Sequence, residues 1–180
     1  KSRLVEELAR RVAADGHAVA YARAYEAAGR PPWGPVIDWL RSDAVQAGLN
    51  GIGDAWLGEL ARLVPELGTA STWPPSAPPT DDLGRRHRLM EAVRRALLAT
   101  RRSLLLVVDD LQWCDSDTLE LCCYLVRSSP SAPVLIAGTT RVDDVDGARA
   151  AALLRGNLGP CGAASTIAVD PLDRAATAQM

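Results

Sequence analysis

Two kinds of hydrophobic pattern alternate along this chain of 180 residues. Leu4, Leu8 and Val12, with Val5 beside them, recur every three to four positions and predict a helix over 2–14 that Asp15-Gly16 closes. The stretch 17–24 (HAVAYARA) reads as a strand. Arg30-Pro31-Pro32 breaks the chain, and Pro35 is placed to open a helix that carries Val36, Ile37 and Leu40. A further helix over 54–64 sets Trp56, Leu57, Leu60 and Leu63 on one side. Four prolines between Thr69 and Thr80 predict a loop, longer than a compact domain usually tolerates without a function or disorder.

After it, Leu89, Val93 and Leu97 stand in register on a helix over 82–100. Leu104-Leu105-Leu106-Val107-Val108 then shows no alternation at all. Such a run predicts a strand buried on both faces, as in a parallel sheet covered by helices. Asp117 with Glu120 reads as a capping box for a helix that runs to Arg127. Residues 133–138 (PVLIAG) read as a second buried strand, 148–154 as a helix, and 165–169 as a short last strand, with Asp173 placed to cap a following helix. Strands that alternate with helices predict the α/β class, a three-layer sandwich around a mainly parallel sheet. No internal repeat interrupts this order.

Composition narrows the field. The chain is 48% hydrophobic and 23% charged, which suits one packed domain that buries roughly 70% of its unfolded surface. A net charge of −2 without a basic stripe argues against direct contact with nucleic acid. No apolar run reaches the ~20 residues needed to cross a bilayer, and no signal peptide is expected from the residues that open the chain as given. The four cysteines (Cys114, Cys122, Cys123, Cys161) form no C-x-x-C pair, so a zinc site or disulfide framework is not expected. A reduced, cytoplasmic protein is the expectation.

Candidate chemistry begins at the first residue. Of twenty basic residues only Lys1 is a lysine, and it stands directly before Ser2 and a helix. That is how the end of a phosphate-binding loop reads, G-x-x-x-x-G-K-[ST] followed by a helix. The compact ammonium of lysine sits between phosphates where the planar guanidinium of arginine does not. The glycines of such a loop, and the strand before it, do not stand in this sequence. The chain as given is therefore expected to hold ATP weakly, with a dissociation constant of about 1 mM or more.

Asp109-Asp110 ends the apolar strand, at the edge where α/β sheets bind ligands. A carboxylate there suits Mg²⁺, which prefers hard oxygen ligands, and a second acid beside it can orient or deprotonate water. The plain alternative is a strand that ends in an acidic turn. Thr139-Thr140-Arg141 ends the next strand and reads as a sensor of a terminal phosphate or as a solvated loop. Trp33, Trp39, Trp56 and Trp113 are spaced for packing, Asp115 for capping the next helix, and His87 for a solvated helix face.

The stretch LLLVVDDLQWCDSDTLELCCYLVR closely resembles the Walker B region in the ATPase domains of large bacterial LuxR-type regulators. These belong to the signal-transducing (STAND) P-loop ATPases within the AAA-like group. The likeness extends to GRPPWGPVIDWLR, WLGELARLVPEL, VLIAGTTR and IAVDPLDRAATA. It implies ATP and Mg²⁺ as cofactors, a helical insertion at about 31–80 and the start of a helical lid at about 170–180. By that resemblance Lys1 and Thr140 would meet the phosphates, Ser2 and Asp109 would ligate Mg²⁺, Asp110 would be the catalytic acid and Arg141 the sensor. It also implies self-association through the ATPase domain. Two other roles stay open: a scaffold that never turns over nucleotide, and the same module in an adenylate cyclase or kinase.

Overall fold

A computed structural model describes residues 1–26, 32–68, 82–141 and 143–170. At its centre lies β2 (Leu104–Asp109), buried along its whole length as its unbroken apolar run predicts. It pairs in parallel with β1 (Ala18–Arg23) on one side and β3 (Val134–Gly138) on the other, in the order β1-β2-β3. The register sets Ala18 against Leu104 and Arg23 against Asp109, so both strands reach the same edge of the sheet.

The two faces of this sheet are covered unequally. On one lies α1 (Ser2–Ala14), whose Val5 packs with Leu105 and Val107 among Ala9, Val12, Val19, Tyr21 and Ala137. Of the face expected from the sequence, Val5 is buried and Val12 partly so, with Ser2 and Ala9 on the same inward stripe, while Leu4 and Leu8 turn outward. Leu4 is 58% and Leu8 37% exposed. The inward stripe lays small and β-branched side chains on the sheet, and it carries Ser2 to the strand ends.

On the opposite face Ala18, Ala20 and Ala22 of β1, Ala24 just after it, and Leu104, Leu106 and Val108 of β2 enter the main core. It is roofed by α2 (Gly34–Arg41), the short α3 (Asp43–Gln46), α5 (Asp82–Leu98) and α6 (Ser116–Ser128). Alanine on β1 leaves room for large aromatics above it. Trp39 is fully buried there and donates its indole N–H to the carbonyl of Val107 at 3.0 Å. Gly48 allows close approach of another kind: a Cβ at that position would lie 2.8 Å from the carbonyl carbon of Ala99.

The expected helix over 54–64 is shorter, with α4 at Asp54–Leu60 followed by a turn and a 3₁₀ segment at Pro65–Leu67. Buried Glu59 ties α4 to α5 through Arg88 at 2.9 Å and also meets Arg62 at 3.1 Å. Trp56 lies under the guanidinium of Arg95, 4.4 Å from its ring centre. Trp33, Trp39, Trp56 and Trp113 all pack on the main core, as their spacing predicts. His87 is exposed, with its ring edge-on to Tyr124. A seventh helix, α7 (Val145–Leu158), lies against α6 and is longer than the 148–154 segment expected.

Three further expectations change. Asp115, not Asp117, caps α6: its carboxylate accepts from the Thr118 amide at 3.0 Å, while Asp117 pairs with Arg86. The β3 strand is only partly buried, with Leu135 59% exposed. It pairs with β2 on one side only, and α1 lies over β1 and β2. Residues 163–170 form no strand, and Ile167 is 82% exposed. Alternation there finds no neighbouring edge, and a strand needs ladder partners as well as a pattern. The loop expected at 69–80 and the cap at Asp173 lie outside the described residues. Cys114, Cys122 and Cys123 are buried free thiols, and burial pushes the Cys122 thiol far up from its ordinary value. Among the described residues no helix is long and apolar enough to cross a membrane.

Candidate functional site

Side chains of a strand alternate between faces, so Leu105, Val107 and Asp109 point to the side that α1 covers. The inward stripe of α1 begins with Ser2. These two placements bring together residues 107 positions apart: the Ser2 hydroxyl donates to Asp109 Oδ1 at 3.1 Å. Asp109 is fully buried. A buried carboxylate needs several donors to offset its lost hydration, and here it has them. The Tyr21 hydroxyl donates to Oδ2 at 3.2 Å, the Thr139 hydroxyl donates to Oδ1, and Arg23 Nε lies 3.8 Å from Oδ2. Burial, and then the charge of Asp109, push the Tyr21 phenol up to about 12.

Asp110 leaves the sheet in the left-handed region, at φ 63° and ψ 54°. Its amide donates to Thr139 Oγ1 at 3.0 Å. Both of its carboxylate oxygens are engaged. Arg23 donates to Oδ2 from Nη2 at 3.0 Å and from Nε at 3.3 Å, and Gln112 donates to Oδ1 at 3.0 Å. The bond to Asp110 raises the Arg23 guanidinium above its ordinary value. The 3₁₀ turn Leu111–Trp113 is closed onto the end of β3. The Leu111 amide donates to the Thr139 carbonyl at 2.8 Å, and a Cβ on Gly138 would collide with the Leu111 side chain.

Lys1 completes the cluster from the other side, its Nζ donating to the Thr140 carbonyl at 3.0 Å. The first amides of α1 lie beside it, at the helix end that attracts anions. Lys1, Ser2, Asp109, Asp110 and Thr140 thus gather at one edge of the sheet. Arg141 does not join them: its side chain is exposed and bonds to no other described residue. Tyr21 and Arg23 belong to the cluster and carry no motif of their own, and Gln112 lies within the DDLQW stretch without a role assigned to it there. For Arg23 the usable signal is parity, since a parallel strand of matching length sets it opposite Asp109.

The donor set fits the cofactors that the motifs imply. Ser2 Oγ, Thr139 Oγ1 and the Asp109 carboxylate are all hard oxygens, the ligands Mg²⁺ takes. No group of three His, Cys, Asp or Glu side chains able to cage a metal occurs among the described residues. A single carboxylate leaves the other positions to water and phosphate oxygens, the usual arrangement for Mg²⁺ at a nucleotide.

No curated protein and no solved structure matches the chain. The family model of the AAA ATPase domain matches residues 1–137, which run from Lys1 through both strand-end acids into β3. The chain belongs to the AAA ATPase domain family, a nucleotide-binding ATPase module.

Proposed function

We propose that residues 1–180 form the ATP-dependent switch module of a multidomain bacterial signalling or transcriptional regulator, acting in the cytoplasm. In this reading Mg²⁺-ATP holds a closed state, hydrolysis releases it, and the output lies in other domains. Lys1 and Thr140 face the phosphates. Ser2 and Asp109 hold Mg²⁺, which neutralises charge on the phosphates. Asp110 takes the proton from the attacking water, and Arg141 reaches the terminal phosphate once nucleotide is bound. The segment at about 31–80 is a helical insertion, the lid starts at about 170–180, and self-association runs through this domain without contact to nucleic acid. The observation that carries the reading is the 3.1 Å bond between Ser2 and Asp109, because it joins a helix-opening Lys-Ser pair to the strand-end acid.

The test is made in a polypeptide that carries a phosphate loop ahead of Lys1. Asp109→Ala should weaken Mg²⁺-dependent ATP binding and abolish hydrolysis. Asp110→Asn should keep binding and slow turnover by about a hundredfold or more, the scale of a lost general base. Normal magnesium-dependent turnover in Asp109→Ala would sink the assignment. The second reading, a P-loop-like scaffold that binds partners and never turns over nucleotide, draws on one observation: Arg23 and Gln112 engage both oxygens of Asp110. Binding of Mg²⁺-ATP with no turnover in the parent polypeptide would favour it.

A further inference from the structure

We infer that Gln112 is a positioning residue that couples the carboxylate of Asp110 to the strand end at Thr140, and so to the nucleotide. The inference rests on Asp110 being the base proposed above. Gln112 is 2% exposed, on the turn that follows the two acids. A glutamine amide has one end that donates and one that accepts. Here Nε2 donates to Asp110 Oδ1 at 3.0 Å, and Oε1 accepts from the Thr140 hydroxyl at 3.5 Å. Only this orientation satisfies both neighbours, since a carboxylate has no proton to give. The Thr140 carbonyl in turn accepts from Lys1 Nζ at 3.0 Å. A chain of contacts therefore runs from Lys1 through Thr140 and Gln112 to Asp110, with its longest step the 3.5 Å between Thr140 and Gln112.

The surroundings fix both neighbours of the amide. Thr139 holds the backbone on both sides of Asp110 through its hydroxyl and its carbonyl. Behind Thr140, a Cβ on Gly147 would lie 2.8 Å from its hydroxyl and would strike the Arg141 carbonyl, so that side is packed shut. When Lys1 turns from the Thr140 carbonyl toward a phosphate, the strand end loses one tether, and Gln112 passes the change to Oδ1. Arg23 occupies only Oδ2. The oxygen that Gln112 governs is thus the one whose release depends on Thr140.

Two measurements test this. On the chain itself, without nucleotide, the side-chain amide protons of Gln112 are followed by nuclear magnetic resonance. Thr140→Val, which removes the hydroxyl, should shift them, and Asp110→Asn should shift them further. An unmoved Gln112 amide in both variants would overturn the inference. In a polypeptide with a phosphate loop, Gln112→Leu keeps the volume and removes both polar ends. It should lower kcat about tenfold to a hundredfold, the scale of a misplaced reacting group, with KM for ATP and the melting temperature little changed. Thr140→Val should lower kcat in the parent, and in the Gln112→Leu background it should cost less than it does alone. Additive losses would mean that the two residues act separately. Asp110→Asn run alongside separates the two ideas. If it keeps full turnover, the base assignment fails. If it is slow while Gln112→Leu is normal, only the role of Gln112 fails. Should Gln112→Leu not fold, Thr140→Val alone still decides: normal kcat refutes the coupling.

Discussion

The two faces of the sheet do different work. The face under α2, α3, α5 and α6 is a continuous apolar core, with Trp39, Leu40, Leu60, Leu97, Leu106 and Leu121 among its fully buried side chains. The face under α1 has three fully packed residues, Val5, Leu105 and Val107, and ends in a cluster of oxygens and cations. One strand serves both. Leu104, Leu106 and Val108 anchor the fold, while Leu105 and Val107 lead by parity to Asp109. The apolar packing is concentrated on the side away from this cluster.

That contrast can be broken or sharpened by substitution. The largest effect is expected on the thick face. Trp39→Ala removes a buried aromatic and one of the hydrogen bonds to the Val107 carbonyl, so it should cost about 3–5 kcal/mol in denaturant unfolding. A loss below ~1 kcal/mol would show that the core is not centred there. At the site end, Arg141→Ala should leave stability alone. In a polypeptide with a phosphate loop ahead of Lys1 it should reduce discrimination between ATP and ADP by about tenfold to a hundredfold, the worth of a charge-assisted contact. Parallel titrations with both nucleotides read this out, and equal losses for the two would return Arg141 to the solvent. On the thin face Val5→Ala should cost only about 1–2 kcal/mol, the transfer value of the methyl groups removed. A cost matching Trp39→Ala would erase the difference between the faces.

The smallest effect depends on pH. Arg94 first, with Tyr124 and Arg95, holds the Glu91 carboxyl down at about 2, below the ordinary glutamate value of 4.5. A lowered carboxylate adds stability that is fully present above the unfolded value and is lost as pH falls through the folded one. Wild type should therefore exceed Glu91→Gln in stability at pH 6, and the gap should close between about pH 5 and pH 2. Urea unfolding across that range measures it. A gap that widens in acid would contradict the ion pair.

Legibility in the sequence followed locality. The strand 104–108 and the acids after it are written in consecutive residues, and so are the Lys-Ser pair and the helix that follows it. What escaped depends on contacts between distant segments. Arg23 faces Asp110 only because β1 and β2 share a register across more than eighty residues. Tyr21 looked like an ordinary strand residue until its hydroxyl met Asp109. An apolar run such as 134–138 does not say whether its strand lies inside a sheet or beside open space. At α6, Asp115 and Asp117 were both plausible caps, and the contact between Asp117 and Arg86 of α5 left the role to Asp115.

The left-handed backbone at Asp110 limits which residues this position can exchange. Most L residues pay ~1–2 kcal/mol to sit there, while glycine, asparagine and aspartate do so most readily. Of these three only aspartate is an acid. Glutamate, the obvious chemical substitute, would bring both that strain and one more methylene between backbone and carboxylate, moving the oxygens past Arg23 and Gln112. The conformation of one residue thus sets the length of the acidic arm, and Asp110→Glu would be a less conservative change here than Asp110→Asn.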